Sequence, residues 1–157
     1  MPIQHDHQDV VNTIHEFCRA FDQRDWTALR RCLAPNVFVD YSSFRGTLPT
    51  RMAADAFVAL RQTALEGLVT QHLSVNHLVA FTDRGARCRF DFVIHRWPQD
   101  AADSRFFHTF GYYEIVLRLD EDAPYRWIIE SIAQQALRSE GSPEPHGALR
   151  KNNDHKA

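Results

Sequence analysis

The hydrophobic pattern of this 157-residue chain changes at Gly67 from mainly helical spacing to long alternating segments, and this change constrains the fold more than any other feature. Before Gly67, apolar residues recur every three or four positions, which is typical of amphipathic helices. After Gly67, four long segments alternate apolar and polar residues, as half-buried strands do. Helices followed by a run of strands predict an α+β fold, in which the helices pack on one face of a curved, mainly antiparallel sheet.

The residues that interrupt these periods set the predicted element boundaries. Apolar residues at helical spacing predict a first helix over residues 6–23. Asp25 is suited to cap a short second helix, which ends near Leu33 because Pro35 follows. The remaining predicted elements are a strand at 37–41, a loop at 46–50, a helix at 51–65, and strands at 70–81, 86–97, 105–119 and 125–138.

The length suits one domain, because domains commonly have roughly 100–200 residues. We expect this domain to span residues 1–138. Residues 139–157 contain few apolar side chains and are rich in Ser, Gly, Pro, Asn and Lys. That composition predicts a disordered tail.

Charge and cysteine content narrow the possible partners and the compartment. The chain has 18 basic and 20 acidic residues, a net charge of −2, which argues against a nucleic-acid or membrane-surface binder. Cys18, Cys32 and Cys88 lie in apolar segments and cannot all pair with one another, which favours a reducing compartment. The first residues lack the pattern of a signal peptide, and no apolar run reaches about 18 residues. We therefore expect a cytoplasmic protein.

The familiar sequence signatures of several enzyme classes are missing from the chain. It contains no glycine-rich phosphate loop, no G-x-S-x-G elbow, no H-E-x-x-H helix and no C-x-x-C pair. His72 and His77 lie five positions apart on one predicted strand and therefore face opposite sides. We expect neither a cofactor nor a metal ion.

Four polar residues fall where apolar ones would be expected: Asp22, Tyr41, His72 and His95. An Asp beside an imidazole fixes its tautomer and raises its basicity, and a Tyr hydroxyl polarises a carbonyl. Together these side chains suit general acid–base chemistry in one pocket. Simpler roles remain open, because Asp is common at helix ends and a lone strand His is often structural.

The strand predicted at 86–97 has two distinct faces. One face is apolar and includes Phe90, Phe92 and Ile94, whereas the other is mixed and includes Val93 and His95. If the mixed face lines the pocket, no predicted helix covers the apolar face. We therefore expect that face to pack against another copy in a homodimer or homotrimer.

Several segments of the chain resemble the scytalone dehydratases and the wider SnoaL-like group of the nuclear transport factor 2-like superfamily. The most specific are Asp22-Gln-Arg-Asp-Trp26, Asp40-Tyr41 and Thr70-Gln-His72, and the similarity runs from about Phe17 to about Ile132. The resemblance implies a cone-shaped α+β barrel, in which three N-terminal helices close a strongly bent sheet around one pocket.

The resemblance also implies roles for individual residues. His72 matches the family's catalytic histidine, His95 its second pocket histidine, and Asp22 the aspartate that partners histidine. Tyr41 matches one of two tyrosines that hold a water against the substrate carbonyl, whereas the other falls on Phe21, which has no hydroxyl. The substrate-binding residues expected around them are Phe17, Phe21, Trp26, Phe57, Val93, Phe110 and Tyr112.

The function implied is that of a cofactor-independent lyase of the dehydratase type, or of an isomerase or cyclase. Its ligand would be a small, hydrophobic, cyclic or polyketide-like carbonyl compound. His72 would remove a proton next to the carbonyl, Tyr41 with Tyr112 would stabilise the enolate, and His95 would protonate the leaving hydroxyl. The alternative is a non-catalytic binding or assembly module on the same barrel, which the missing hydroxyl at Phe21 favours.

Overall fold

The computed structural model describes residues 4–146, with side chains from Asp6 onward, as helices packed on one mixed sheet. None of the helices in this part of the chain is long and apolar enough to cross a membrane. The elements in chain order are α1 Gln4–Gln23, α2 Trp26–Arg31, β1 Leu33–Asp40, α3 Ser42–Arg45, β2 Thr50–Ala53, α4 Ala54–Ala64, β3 Leu68–Thr82, β4 Gly85–Pro98, β5 Phe107–Leu119 and β6 Trp127–Gly141.

The six strands form one open sheet in the order β2-β1-β6-β5-β4-β3. All neighbours are antiparallel except β1 and β6, which are parallel. Helix α1 packs mainly on β3 and also contacts β4 and β6, so that its apolar stripe of Val10, Ile14 and Phe17 is buried in the core. The predicted α+β architecture is confirmed.

The region between β1 and α4 contains two short elements that the sequence pattern did not predict. Thr50–Ala53 form β2, which pairs with β1, so the helix expected from residue 51 begins at Ala54. Ser42–Arg45 form the single turn α3, which ends at Gly46 with φ +67°. Elements of four residues are too short for a hydrophobic period to reveal them.

The two faces of β4 are reversed with respect to the sequence-based expectation. Phe90, Phe92 and Ile94 are 0%, 3% and 1% exposed and lie in the same core as the apolar stripe of α1. The expectation that these residues pack against a second copy of the chain is therefore wrong, because the chain's own helices cover them.

The opposite side of the sheet carries the exposed apolar side chains. We call this side the outer face; it includes Val69, Leu73, Val75, Leu78, Val93, His95, Trp97, Phe110 and Tyr112. Four of these residues lie on β3, the edge strand of the sheet, and each is more than two-fifths exposed. We propose that the homo-oligomer forms through the outer face, since contiguous exposed apolar patches mark interaction surfaces.

Light scattering on a sizing column tests this assembly. At micromolar concentration the unmodified chain should have the mass of a dimer or trimer. Leu73→Lys should shift it to the monomer, because the charge would be buried in the interface. Leu48→Lys, at an exposed loop position away from the outer face, should leave the mass unchanged. A monomeric unmodified chain contradicts the proposal.

The C-terminal segment is ordered further than its composition suggests. The domain boundary expected at Arg138 is too early, because β6 continues to Gly141, which pairs with Phe107. His146 is only 2% exposed, and its ring lies 5.7 Å from that of Phe44 between centroids. Polar residues join a sheet through their backbone groups, so composition alone underestimates β6. Residues 147–157 of the expected tail lie outside the described residues.

His146 makes the stability of the fold dependent on pH. Burial lowers the pKa of His146 to about 3, and the nearby charges of Arg96 and Arg45 act in the same direction. Below the ordinary histidine pKa of about 6.5 the unfolded chain therefore binds a proton that the folded chain excludes. Each such proton costs about 1.4 kcal/mol of unfolding free energy per pH unit.

His146→Gln should accordingly flatten the fall in stability on acidification. Urea unfolding at pH 6, 5 and 4 should give a slope shallower than that of the unmodified chain by about 1.4 kcal/mol per pH unit. If the unfolding free energy of the two chains fell equally with pH, His146 would contribute to stability through packing alone.

Candidate active site

Asp22 at the end of α1 contacts His72 near the start of β3 through both of its oxygens. Oδ1 lies 2.5 Å from His72 Nδ1, and Oδ2 accepts the backbone N–H of His72 at 2.7 Å. The hydroxyl of Thr70 donates to Oδ1 at 3.0 Å. The imidazole is thus held at Nδ1, and its Nε2 accepts no hydrogen bond from the described residues. Of the two candidate histidines, His72 is the one that contacts Asp22.

The surroundings of His72 keep its imidazole neutral. Burial lowers its pKa below the ordinary value, the hydrogen bond and charge of Asp22 oppose this effect, and Arg96 and Arg24 add to it. Phe21 stacks on the ring at 5.1 Å between centroids. A neutral imidazole that donates Nδ1–H to a carboxylate has a free lone pair on Nε2, which is the requirement for a general base.

Arg24 fixes the junction between α1 and β3. Its guanidinium donates to the Thr70 hydroxyl at 2.9 Å, to the Leu65 carbonyl at 3.3 Å, and to the carbonyls of Phe21 and Leu68. Sequence reasoning missed both Arg24 and Thr70. Thr70 could have been found, because it lies two positions before His72 on the same face of the strand.

A small cavity of about 30 Å³ lies beside His72, with room for about one water molecule. Its lining residues come from both the helices and the sheet. The lining residues are Phe21, Tyr41, Phe44, Arg45, Arg61, Leu65, His72, Ile94, Arg96, Tyr113, Gln134 and His146.

Two tyrosines face one another in this cavity. Gln134 Nε2 donates to the Tyr113 hydroxyl oxygen at 2.7 Å, and the Tyr113 and Tyr41 phenols interact with each other. Burial raises the pKa of both phenols, that of Tyr113 the more strongly. Both groups are therefore hydrogen-bond donors at neutral pH. Tyr113 thus lies where Tyr112 was expected to act.

The predicted substrate-binding residues that precede Gly67 differ in their distance from the cavity. Phe21 lines it directly, whereas Phe17 lies behind Phe21 in the core, 5.0 Å away between ring centroids. Phe57 stacks on Tyr41 at 6.5 Å and lines an adjoining groove. Trp26 lines a separate surface cleft beside Arg24, so its expected place in the pocket is wrong.

His95 does not share the cavity with His72, which corrects a central expectation. His72 pairs with Ile94, which points into the core, so His95 points to the outer face, against Trp97 and His108. A one-residue bulge after Val75 causes this, because without it the hairpin register would place His72 opposite His95.

Val93, Phe110 and Tyr112 also lie on the outer face, so their predicted roles in substrate binding are wrong. Arg96 and Tyr113 occupy the interior instead. Each lies one residue beyond a predicted site residue, as expected when a strand's inner and outer faces are exchanged.

Three arginines complete the cavity: Arg45, Arg61 and Arg96. Sequence reasoning missed all three, because an arginine in an amphipathic segment is usually a solvent-facing residue. No group of three or more His, Cys, Asp or Glu side chains within the described part of the chain is arranged to hold a metal ion.

Comparisons with known proteins agree with this architecture. A family model for the SnoaL-like domain matches residues 4–133. The scytalone dehydratase PfmaJ of Pestalotiopsis fici is 35% identical over 71 residues, which cover 43% of this chain and 37% of that protein. The aligned stretch thus spans little more than a third of this relative's length.

Solved structures extend the similarity of fold over most of the chain. The Kfla4162 protein of Kribbella flavida has a TM-score of 0.75 at 18% identity, covering 86% of this chain and 93% of that one. The LinA-type3 hexachlorocyclohexane dehydrochlorinase of Novosphingobium barchaimii has a TM-score of 0.70 at 8% identity, covering 87% and 89%. With the family model matching most of its length, the chain belongs to the SnoaL-like domain family and has the nuclear transport factor 2-like fold.

Proposed function

We propose that this protein is a cofactor-independent lyase of the dehydratase type, with His72 as its single acid–base group. The observation that carries the proposal is the Asp22–His72 pair, whose free Nε2 belongs to a residue lining the small cavity. The substrate would be a small cyclic or polyketide-like compound with a hydroxyl β to a carbonyl.

His72 would carry the proton through the whole elimination. Nε2 takes the proton next to the carbonyl, and the imidazolium is stabilised by Asp22. The same proton then passes to the leaving hydroxyl, which departs as water while the carbon–carbon double bond forms. His95 lies on the outer face, and His146, with a pKa of about 3, is a neutral imidazole. Neither suits the role of general acid.

Tyr41 and Tyr113 would stabilise the enolate that forms on the carbonyl oxygen. Both phenols are un-ionised donors in a buried cavity, where a hydrogen bond to a developing oxyanion is strongest. Phe21 has no hydroxyl, so the second hydroxyl of the site comes instead from Tyr113 on β5.

The named relatives support an elimination. One is called a scytalone dehydratase and another a hexachlorocyclohexane dehydrochlorinase, and both names describe a lyase. A non-catalytic binding module on the same fold is the alternative, and an isomerase or cyclase would use the same first proton transfer.

Replacement of His72 tests the base. On a panel of cyclic β-hydroxyketones with and without a carboxylate group, scytalone among them, absorbance of the conjugated product should report turnover by the unmodified chain. His72→Gln should lower kcat by about 10²–10⁴-fold, the usual contribution of a general base. His95→Gln is the matched control and should leave kcat within a factor of about two.

Two results would contradict this assignment. Equal losses in the two histidine variants would restore a role for His95, and full activity of His72→Gln would remove His72 from the mechanism. Binding of panel members without turnover or α-proton exchange in D₂O would favour the binding module.

Tyr113 and its neighbour form a second matched pair. Tyr113→Phe should lower kcat by roughly 10²–10³-fold, since it removes one donor to the developing oxyanion. Tyr112→Phe changes a ring on the outer face, where Arg89 lies 4.0 Å above its centroid, and should leave kcat unchanged. If Tyr112→Phe lowered kcat more than Tyr113→Phe, the assignment of Tyr113 as the oxyanion donor would be wrong.

The pH profile reports the state of His72. A base must be deprotonated, so kcat/KM should rise with pH through the His72 pKa, and the midpoint of this rise should lie below pH 6.5, because burial lowers that pKa. Asp22→Asn removes two influences that raise the pKa, so the acid limb should move to still lower pH. A limb above pH 6.5 in the unmodified chain contradicts the assignment.

A further inference from the structure

Three guanidinium groups meet at the cavity, each from a different element. Arg45 lies in α3, Arg61 in the last turn of α4, and Arg96 near the end of β4. Arg61 and Arg96 are only 7% and 4% exposed. The Nε atom of each of the three is buried without a hydrogen-bond partner among the described residues.

No carboxylate balances these charges in the part of the chain that the structure describes. None of the cavity-lining residues is acidic. Every described Asp–Arg or Glu–Arg ion pair involves other arginines, such as Arg105 and Arg118. Asp22, the carboxylate of the His72 pair, is already bound by His72 and Thr70.

Aromatic rings, rather than anions, support the three groups. Arg45 and Arg61 have Cζ 4.6 Å and 5.4 Å from the ring centroid of Tyr41, and Arg96 Cζ lies 5.2 Å from that of Phe44. Such cation–π contacts offset only part of the free energy required to remove a guanidinium from water. The cavity therefore carries uncompensated positive charge.

The pKa shifts of Arg96 and Arg45 agree with this excess of positive charge. Burial lowers the pKa of Arg96 to about 10, and the charge of Arg45 adds to the effect. Burial likewise lowers the pKa of Arg45. Both groups nevertheless remain protonated at neutral pH.

An apolar groove, which His72 does not line, adjoins the arginines. It has a volume of about 460 Å³, within the usual range for ligand pockets, and it shares Tyr41, Arg45 and Arg61 with the cavity. Its other walls include Met52 and Phe57. A ligand placed here would meet an apolar wall and a cluster of cations together.

We infer that Arg45, Arg61 and Arg96 bind a carboxylate of the substrate, which is therefore an aromatic or polyketide-derived acid rather than a neutral ketone. Guanidinium groups match the planar carboxylate with paired hydrogen bonds. The inference rests on the proposed lyase function and deepens it. That function requires only a carbonyl near His72, whereas the arginines require a negative charge.

A pair of probes of equal shape tests the inference on the unmodified chain. Calorimetry should show 2-naphthoate binding on the order of 10–100-fold more tightly than 2-naphthamide, as charge-assisted hydrogen bonds would give. The same preference should persist in His72→Gln, because the neutral imidazole contributes no charge. Equal affinities for the two probes overturn the inference.

Variants assign the effect to the cavity. Arg61 makes no hydrogen bond among the described residues, so Arg61→Met should weaken 2-naphthoate about tenfold or more and leave 2-naphthamide unchanged. It should also raise Tm without ligand, because it removes an unpaired buried charge. The surface control Arg118→Gln should change neither affinity.

The outcomes separate this inference from the proposed function. If Arg118→Gln weakens 2-naphthoate as much as Arg61→Met does, the attraction is general and the inference is wrong. A lower Tm with unchanged affinity in Arg61→Met makes that residue structural and overturns its assignment. A carboxylate preference without turnover of any β-hydroxyketone, charged or neutral, overturns the lyase and leaves the anion site standing.

Discussion

The contact between the Asp22 carboxylate and β3 is the interaction on which the rest of the site depends. It joins the end of the first helix to the edge strand of the sheet, with Arg24 binding carbonyl groups on both sides of the same junction. Because Asp22 holds the backbone and the ring of His72 at once, one carboxylate positions the strand and selects the imidazole tautomer. The fold and the proposed chemistry therefore share a single anchor.

The sequence was sufficient for the order of the long helices and strands and for Asp22 and His72 as candidate residues, because these depend on local periods and on residues close to a recognisable motif. It left open which histidine Asp22 contacts. It was insufficient for the faces of β4. A period of two distinguishes two faces but does not say which is buried, and the bulge after Val75 exchanges the residues that oppose His72. Asn76, at φ +56°, lies in this bulge and donates to Asp91. No hydrophobic pattern reports such an insertion.

The arginines and the C-terminal segment escaped prediction for a related reason. Arg96 and His146 are polar residues whose environment is set by tertiary packing, and a composition-based argument places such residues in solvent. The fold instead buries them around one cavity, where desolvation lowers the pKa of each. Residues that oppose the local rule are thus concentrated at the site, as expected when function rather than stability determines them.

The small size of the cavity and the adjoining groove impose a condition on ligand entry. A space of about 30 Å³ admits about one water molecule, so a substrate fits beside His72 only if lining side chains move, and Tyr41, Arg45 and Arg61 form the wall that the cavity shares with the groove. Two members of that wall are arginines, whose long stems have many rotamers. An anion that pairs with the guanidiniums stabilises their displaced positions, whereas a neutral ligand of the same shape does not. The uncompensated charge would then discriminate between ligands at entry as well as at binding, since two groups of the shared wall are guanidiniums with which an anion can pair.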